Sequence, residues 1–206
     1  MVKRSNLRRS PRGSVRIVGG EWRSRRIAIP EGTSVRPTPD RVRETLFNWL
    51  RDSIVGARCL DLYAGTGALG FEALSRGAAE AYFIERDPVL IAALTAQAAA
   101  FGVTPRIVRQ DAESFLRGVV AEPFDIVFVD PPYDAPLRPV LEALPRWLKS
   151  GGLIYAERPR GEGLPDMNQG TWLRRAHAGA VEYGLLQLHD PASKLQCARI
   201  VTRAPQ

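Results

Sequence analysis

At 206 residues, 45% of them hydrophobic and 25% charged, the chain is long enough for one α/β domain with a sizeable core. No run approaches the ~20 apolar residues of a membrane helix, and no secretory apolar segment lies near the start, which sets membrane-spanning and exported classes aside. The formal net charge of +7 is local: residues 1–26 hold nine Lys or Arg against one acid, Glu21, so the remainder is near neutral.

Residues 1–14 read as a basic arm without periodicity, expected to be disordered and suited to a phosphate backbone; a solubilising tail is the plainer alternative. Two β-like runs follow, 15-VRIV-18 and 25-RRIAI-29. With Gly19-Gly20 between them they predict a hairpin extension over 15–35 with arginines on its exposed face. In 34-SVRPTPDRVRETLFNWLRDSI-54, Thr38 is placed as a helix N-cap and Pro39 as the first helical residue. Val42, Leu46, Trp49 and Leu50 then form one apolar stripe.

From residue 58 strands alternate with helices. Strands are expected at 58–63, 80–85, 105–110, 124–130 and 152–157, and helices at about 67–76, 88–101, 111–119 and 135–149. This alternation predicts a parallel sheet covered on both faces through right-handed crossovers. Beyond 158 the loop 158-RPRGEGLPDMNQG-170 leads to two further strands, 180-AVEYGLLQLH-189 and 196-QCARIVT-202, joined by the turn 190-DPASK-194. The expected fold class is therefore α/β, a seven-stranded, mostly parallel, doubly wound sheet. An antiparallel C-terminal hairpin closes it, the hairpin 15–35 is appended, and the main domain occupies 36–206. Cys59 and Cys197 lie in no CxxC pair and near no histidine at ligand spacing, which predicts reduced thiols in a cytoplasmic protein with no metal site.

The stretch 61-DLYAGTGALG-70 places Gly65, Gly67 and Gly70 at the spacing of a dinucleotide-binding turn. Glycines there let the backbone approach a ligand at a helix N-terminus, whichever adenosine compound it is. Asp61 precedes the turn. Glu85 ends the second strand of the main sheet, twenty residues after Gly65, where a carboxylate can accept both ribose hydroxyls. Asp111 follows the third, within reach of an adenine amino group.

The stretch 130-DPPY-133, at the carboxyl end of the fourth strand, chooses between cofactors. Pro131 and Pro132 fix the backbone and supply no N–H, so the Asp130 carboxylate and the Pro131 carbonyl make a paired acceptor. Tyr133 offers a flat face for a base. Two acceptors and a ring make a receptor for an exocyclic –NH₂, a poor nucleophile whose lone pair is delocalised into its ring. Accepting its two hydrogens aims that pair at an electrophile, and the sulfonium methyl of S-adenosylmethionine is such an electrophile. Positioning and oriented acceptors would carry the reaction. A dehydrogenase has no use for this turn.

These residues resemble the class I, Rossmann-like S-adenosylmethionine-dependent methyltransferases. More narrowly, 16-RIVGGEWRSRRI-27, 36-RPTPDRVRETLFNWL-50, 60-LDLYAGTGALGFEALSRGA-78 and 126-IVFVDPPYD-134 resemble the bacterial 16S ribosomal RNA guanine-N2 methyltransferases of the RsmD type, over roughly residues 15–203. The resemblance implies a cofactor site of Thr38, Asp61, Tyr63, Ala64, Gly65 and Gly67, with Glu85 and Arg86 at the ribose and Asp111 and Ala112 near the adenine. It implies Asp130, Pro131, Pro132 and Tyr133 at the target amine. Substrate contacts fall to Arg16, Arg23, Arg25 and Arg26 of the hairpin and to Arg36, Arg43 and Asn48 over the cofactor mouth. The basic extension before Val15 is longer than the type, and the tail after 158 matches it only loosely.

The implied activity is methylation of a guanine N2 amine in 16S ribosomal RNA, on free RNA or the small subunit, by an enzyme whose simplest state is a monomer. Two other readings stand beside it. The 130-DPPY-133 turn serves an adenine-N6 DNA or RNA methyltransferase equally well. A non-catalytic RNA-binding assembly factor could keep the fold, although Asp61, Glu85 and Asp130 are all present.

Overall fold

The computed structural model describes residues 13–33, 35, 37–132 and 135–189. Strands β1 (Gly13–Arg16) and β2 (Arg26–Ile29) pair antiparallel, Gly13 opposite Ile29 and Arg16 opposite Arg26. The hairpin is anchored, not free. Trp22 stacks on Phe101 at 4.6 Å between ring centroids, and Val15, Ile17 and Ile27 are buried in the same cluster. Gly20 (φ +76°) passes so close to the next helix that an added Cβ would stand 1.9 Å from the Ser75 carbonyl oxygen. The Glu21 N–H donates to that oxygen at 2.7 Å, and the Trp22 N–H donates to Ser75 Oγ at 2.9 Å. Gly19-Gly20 is thus a docking turn, and the polypeptide reverses just after it, through the turn at residues 21–24.

Helix α1 spans Asp40–Trp49, with Pro39 at the capping position and no side-chain cap. The expected Thr38 cap is therefore corrected: its hydroxyl is engaged elsewhere, as described below. Val42, Leu46 and Leu50 are fully buried as the stripe requires, while Trp49 at the stripe's edge stacks on Tyr183.

The main sheet alternates in the expected order through β3 (Arg58–Asp61), α2 (Ala68–Ser75), β4 (Glu80–Glu85), α3 (Pro88–Phe101), β5 (Arg106–Arg109), α4 (Ala112–Leu116), β6 (Phe124–Val129), α5 (Leu137–Ala143) and β7 (Leu148–Pro159), although the last helix is shorter than the expected 135–149 and β7 begins within that span. Strands β8 (Gly170–Ala178) and β9 (Val181–Leu188) complete it in the order β5-β4-β3-β6-β7-β9-β8. The first five are parallel, and β9 runs antiparallel to both its neighbours. Side chains alternate across the sheet. Leu60, Leu62, Val127 and Val129 face α4 and α5, whereas Cys59, Ile126 and Phe128 face α1 and α2. Both faces are covered, so the strands read as continuous apolar runs. Burial of Cys59 in β3 pushes its thiol pKa far up, which makes it an inert core residue.

The C-terminal hairpin differs from expectation. Its strands are β8 and β9, joined at Gly179-Ala180, so β8 occupies residues assigned above to a loop and its continuation. The proposed 190–194 turn and 196–202 strand lie outside the described residues, as does Cys197. Strand β8 is an edge strand, with Leu173, Arg174, Arg175 and His177 exposed and a register shift between Trp172 and Arg174. Charge and a bulge on an edge discourage pairing with another chain, and they erase the alternation that marks an inner strand.

Candidate active site

Strands β3 and β6 are neighbours, yet β3 leads into α2 on one face and β6 leads into α5 on the other. Their carboxyl ends therefore diverge into a crevice, the switch point where open α/β sheets bind ligands. Asp61 ends β3 and Asp130 follows β6, so both acids stand at this crevice.

Asp61 is buried and accepts from the Gly70 N–H at 3.0 Å, which ties the glycine turn to the first turn of α2. Burial first, with Asp130 and Glu85 adding, pushes its pKa up to about 7. Gly67 opens α2 at φ +79°. A Cβ there would lie 2.6 Å from Leu94 Cδ2 and 2.7 Å from Phe71 Cε2, so only glycine lets the turn close against the helices.

Glu85 is held by three backbone donors: Gly65 N–H on Oε2 at 2.9 Å, and Arg86 and Asp87 N–H on Oε1 at 2.8 and 2.9 Å. It joins the end of β4 to the glycine turn, with its carboxylate fixed beside the crevice. The Arg86 side chain is exposed, and buried Ala64 donates its N–H to the Ile84 carbonyl. Asp111 caps α4, accepting from the Ser114 N–H at 2.8 Å, and that bond holds its carboxyl below the usual range. Ala112 is buried behind it. Tyr63 belongs to this end as well: burial, then Glu113 and Asp111, push its phenol up to about 12.

Asp130 Oδ2 accepts from Thr38 Oγ1 at 3.0 Å, a contact spanning 92 residues of chain. Burial pushes Asp130 up to about 6 against the opposing pull of that hydroxyl. Of the two prolines, Pro131 is buried and Pro132 exposed. The Pro132 carbonyl accepts from the Ala135 N–H at 2.9 Å, and no described donor takes the Pro131 carbonyl. Tyr133 and Arg36 lie outside the described residues.

Arg43 departs from its expected place over the cofactor mouth: it is fully buried and cannot reach a macromolecular substrate. Its Nε donates to the Thr38 carbonyl at 3.1 Å, and its two terminal nitrogens reach Asp40 at 2.5 Å and Glu72 at 3.3 Å. Glu72, equally buried, also accepts from Arg76 Nε at 2.8 Å and the Val18 N–H at 2.8 Å. One ionic network thus ties the hairpin, α1 and α2 together behind Thr38. Asn48 is exposed, about 12 Å along α1 from Asp40, and is not brought to the crevice.

The hairpin arginines are exposed. Arg16 pairs with Asp40 at 3.0 Å, Arg25 lies 4.3 Å over the Phe101 ring, and Arg26 donates to Ser14 Oγ. Arg23 is exposed beside them.

A further acid, Glu157, was read only as the end of the strand 152–157. Ala156 pairs with Val129, so the next residue along each chain, Glu157 and Asp130, meet at the same edge. Glu157 is 4% exposed and accepts from the Tyr155 hydroxyl at 2.6 Å. Burial, then the charge of Asp130, push its pKa up to about 8. The available signal was an acid closing an apolar strand, but its meaning required knowing that β7 lies beside β6.

The crevice is therefore lined by Asp61, Glu85 and Asp130, and among the described residues no Lys, Arg or His side chain pairs with any of the three. Such an acceptor set suits a cationic ligand with a ribose diol and lacks the positive charge a pyrophosphate needs. Strand order, glycine turn and acids together define a class I methyltransferase. The family Conserved hypothetical protein 95 matches residues 15–187, hairpin and sheet alike. Ribosomal RNA small subunit methyltransferase D of Escherichia coli (strain K12) is 45% identical over 183 residues, covering 85% of this chain and 90% of that protein. The solved structure of yhhF from Escherichia coli superposes with a TM-score of 0.79 at 44% identity, covering 86% of this chain and 99% of that one. SMU.776, solved complexed with SAH, shares the fold at 17% identity and a TM-score of 0.59, over 72% of this chain and 49% of that one. This chain belongs to the Conserved hypothetical protein 95 family, and it is a methyltransferase.

Proposed function

We propose that the enzyme methylates the exocyclic N2 amine of a guanine in small-subunit ribosomal RNA. The observation that supports this reading is that Asp130 and Pro131 follow β6 where its carboxyl end stands beside that of β3 and the glycine turn, at the switch point, where the Asp130 carboxylate and the Pro131 carbonyl would serve as a paired acceptor. The name of the Escherichia coli relative supports the RNA, and the block 36-RPTPDRVRETLFN-48 supports guanine over adenine.

S-adenosylmethionine, when bound, supplies the electrophilic methyl group. Glu85 and Arg86 would hold its ribose, Tyr63, Asp111 and Ala112 its adenine, and Asp61, Ala64, Gly65 and Gly67 its methionine portion. Asp130 and the Pro131 carbonyl accept the amine's hydrogens, Pro132 fixes the turn, and Tyr133 stacks on the target base. As the nitrogen gains the methyl it sheds a proton, which Asp130 takes. Thr38 orients Asp130, and Arg43 holds Thr38. The base must leave its stack, which costs least in an unpaired segment. Arg16, Arg23, Arg25 and Arg26 would meet phosphates, positioning the RNA without reading it. About five phosphate contacts, drawn from these four and the basic residues of the arm 1–14, would give binding a log–log salt slope near −4.

The test is Asp130→Ala. It should keep the calorimetric affinity for S-adenosylmethionine and lower methyl transfer at least ~100-fold. Turnover like that of the unaltered enzyme would overturn the assignment.

A further inference from the structure

The carboxyls of Asp130 and Glu157 come from adjacent strands, and among the described residues no Lys or Arg pairs with either. The groups facing Glu157 are Asp130 after β6, Thr38 ahead of α1, Tyr155 on β7 and Tyr183 on β9, directly opposite Glu157 in the strand register. Asp61 stands beyond Asp130 on β3. Every one of these is neutral or acidic, and Thr38 and Tyr155 are buried with Glu157.

The proton count follows from the hydroxyls. Thr38 has one hydroxyl hydrogen, and it is donated to Asp130 Oδ2. The Tyr155 hydroxyl donates to Glu157 Oε2, so each carboxyl has one neutral hydroxyl donor and, among the described residues, neither has a cation. Two adjacent carboxyls so placed resist ionising together. Glu157 is buried and Asp130 only half-buried, so the proton falls to Glu157, the one that water solvates less.

We propose that Glu157 is a positioning residue that carries the single proton of the pair and so leaves Asp130 ionised, with the Thr38 hydroxyl aiming it at the target amine. The inference rests on the assignment of Asp130 to that amine. Burial and the neighbouring charge agree in direction, since both favour the protonated form of Glu157 over that of Asp130 at neutral pH. When Glu157 loses its proton, a second negative charge stands beside Asp130. Transfer should therefore fall on the alkaline side.

The first arm is infrared spectroscopy of the unaltered enzyme carrying glutamate ¹³C-labelled at the side-chain carboxyl, which separates Glu157 from Asp61 and Asp130. A protonated glutamate band present at pH 7, fading as pH rises through about 8 and missing from Glu157→Gln, is the expected result. Absence of that band at pH 7 would overturn the proposal without any variant having to fold. The second arm is single-turnover transfer across pH. Glu157→Ala should lose about tenfold in rate with unchanged S-adenosylmethionine affinity, and Glu157→Gln, which is neutral and keeps the volume and the Tyr155 contact, should recover most of it and lose the alkaline fall. Glu157→Gln as slow as Glu157→Ala would mean that the residue acts as a base, and would refute the positioning role. Failure of the underlying assignment looks different: Asp130→Ala would turn over normally while the glutamate band remained.

Discussion

Replacing Arg43 by methionine removes a charge that the fold has surrounded on three sides while keeping most of the side chain's apolar volume. The guanidinium donates to the Thr38 carbonyl at 3.1 Å, to Asp40 at 2.5 Å and to Glu72 at 3.3 Å. Asp40 is 44% exposed and retains Arg16, so its share is under about 1 kcal/mol. Glu72 is 0% exposed and dominates. Breaking a buried pair by removing one partner costs about 3–5 kcal/mol. Arg76 and the Val18 N–H stay with Glu72, which puts the expected loss near the lower bound, about 3 kcal/mol. For a domain of this size that is a fall in melting temperature of about 6–12 °C. Urea unfolding of Arg43→Met, Glu72→Gln and the double variant measures the loss and the coupling, expected at about 1–3 kcal/mol. A loss under about 1 kcal/mol, or additive single variants, would refute the buried network as the brace behind Thr38.

Further outcomes follow from the same geometry. Gly67→Ala should destabilise the protein by about 2 kcal/mol or more, because φ is +79° and its Cβ would press on Leu94 and Phe71; an unchanged urea midpoint would contradict this. Trp22→Ala should cost about 3 kcal/mol by emptying the hairpin's anchor on Phe101, and native-state proteolysis should then open near residues 13–29 first. Glu157→Gln should stabilise the ligand-free protein at alkaline pH. The folded pKa of about 8 lies above the unfolded value near 4.5, so the native acid loses stability progressively between them, and the gain from glutamine should grow over that window and level off above it. Thermal unfolding of both forms from pH 5 to pH 9 reads this directly, and a gain that shrank as pH rose would contradict the sign.

The inner sheet was legible because β3, β4, β6 and β7 are buried on both faces and leave unbroken apolar runs between turn residues. The glycine turn and 130-DPPY-133 were legible because both are local chemistries. What sequence reading lost was tertiary. Thr38 before Pro39 has the form of a cap, yet its hydroxyl finds Asp130 across 92 residues. Arg43 sits on an amphipathic helix like a surface charge, and its burial is made tolerable chiefly by Glu72, 29 residues on, which sequence spacing does not reveal. Glu157 gained its meaning from strand adjacency, and β8 was hidden because an edge strand is selected to look polar.

The most direct test of the account is transfer of labelled methyl from S-adenosylmethionine to small ribosomal subunits lacking the modification, with free ribosomal RNA and DNA in parallel. Chromatography of the digested nucleosides then identifies the product. The account predicts label as N2-methylguanosine in the RNA or the subunit. Label in adenine, or in DNA alone, would contradict it.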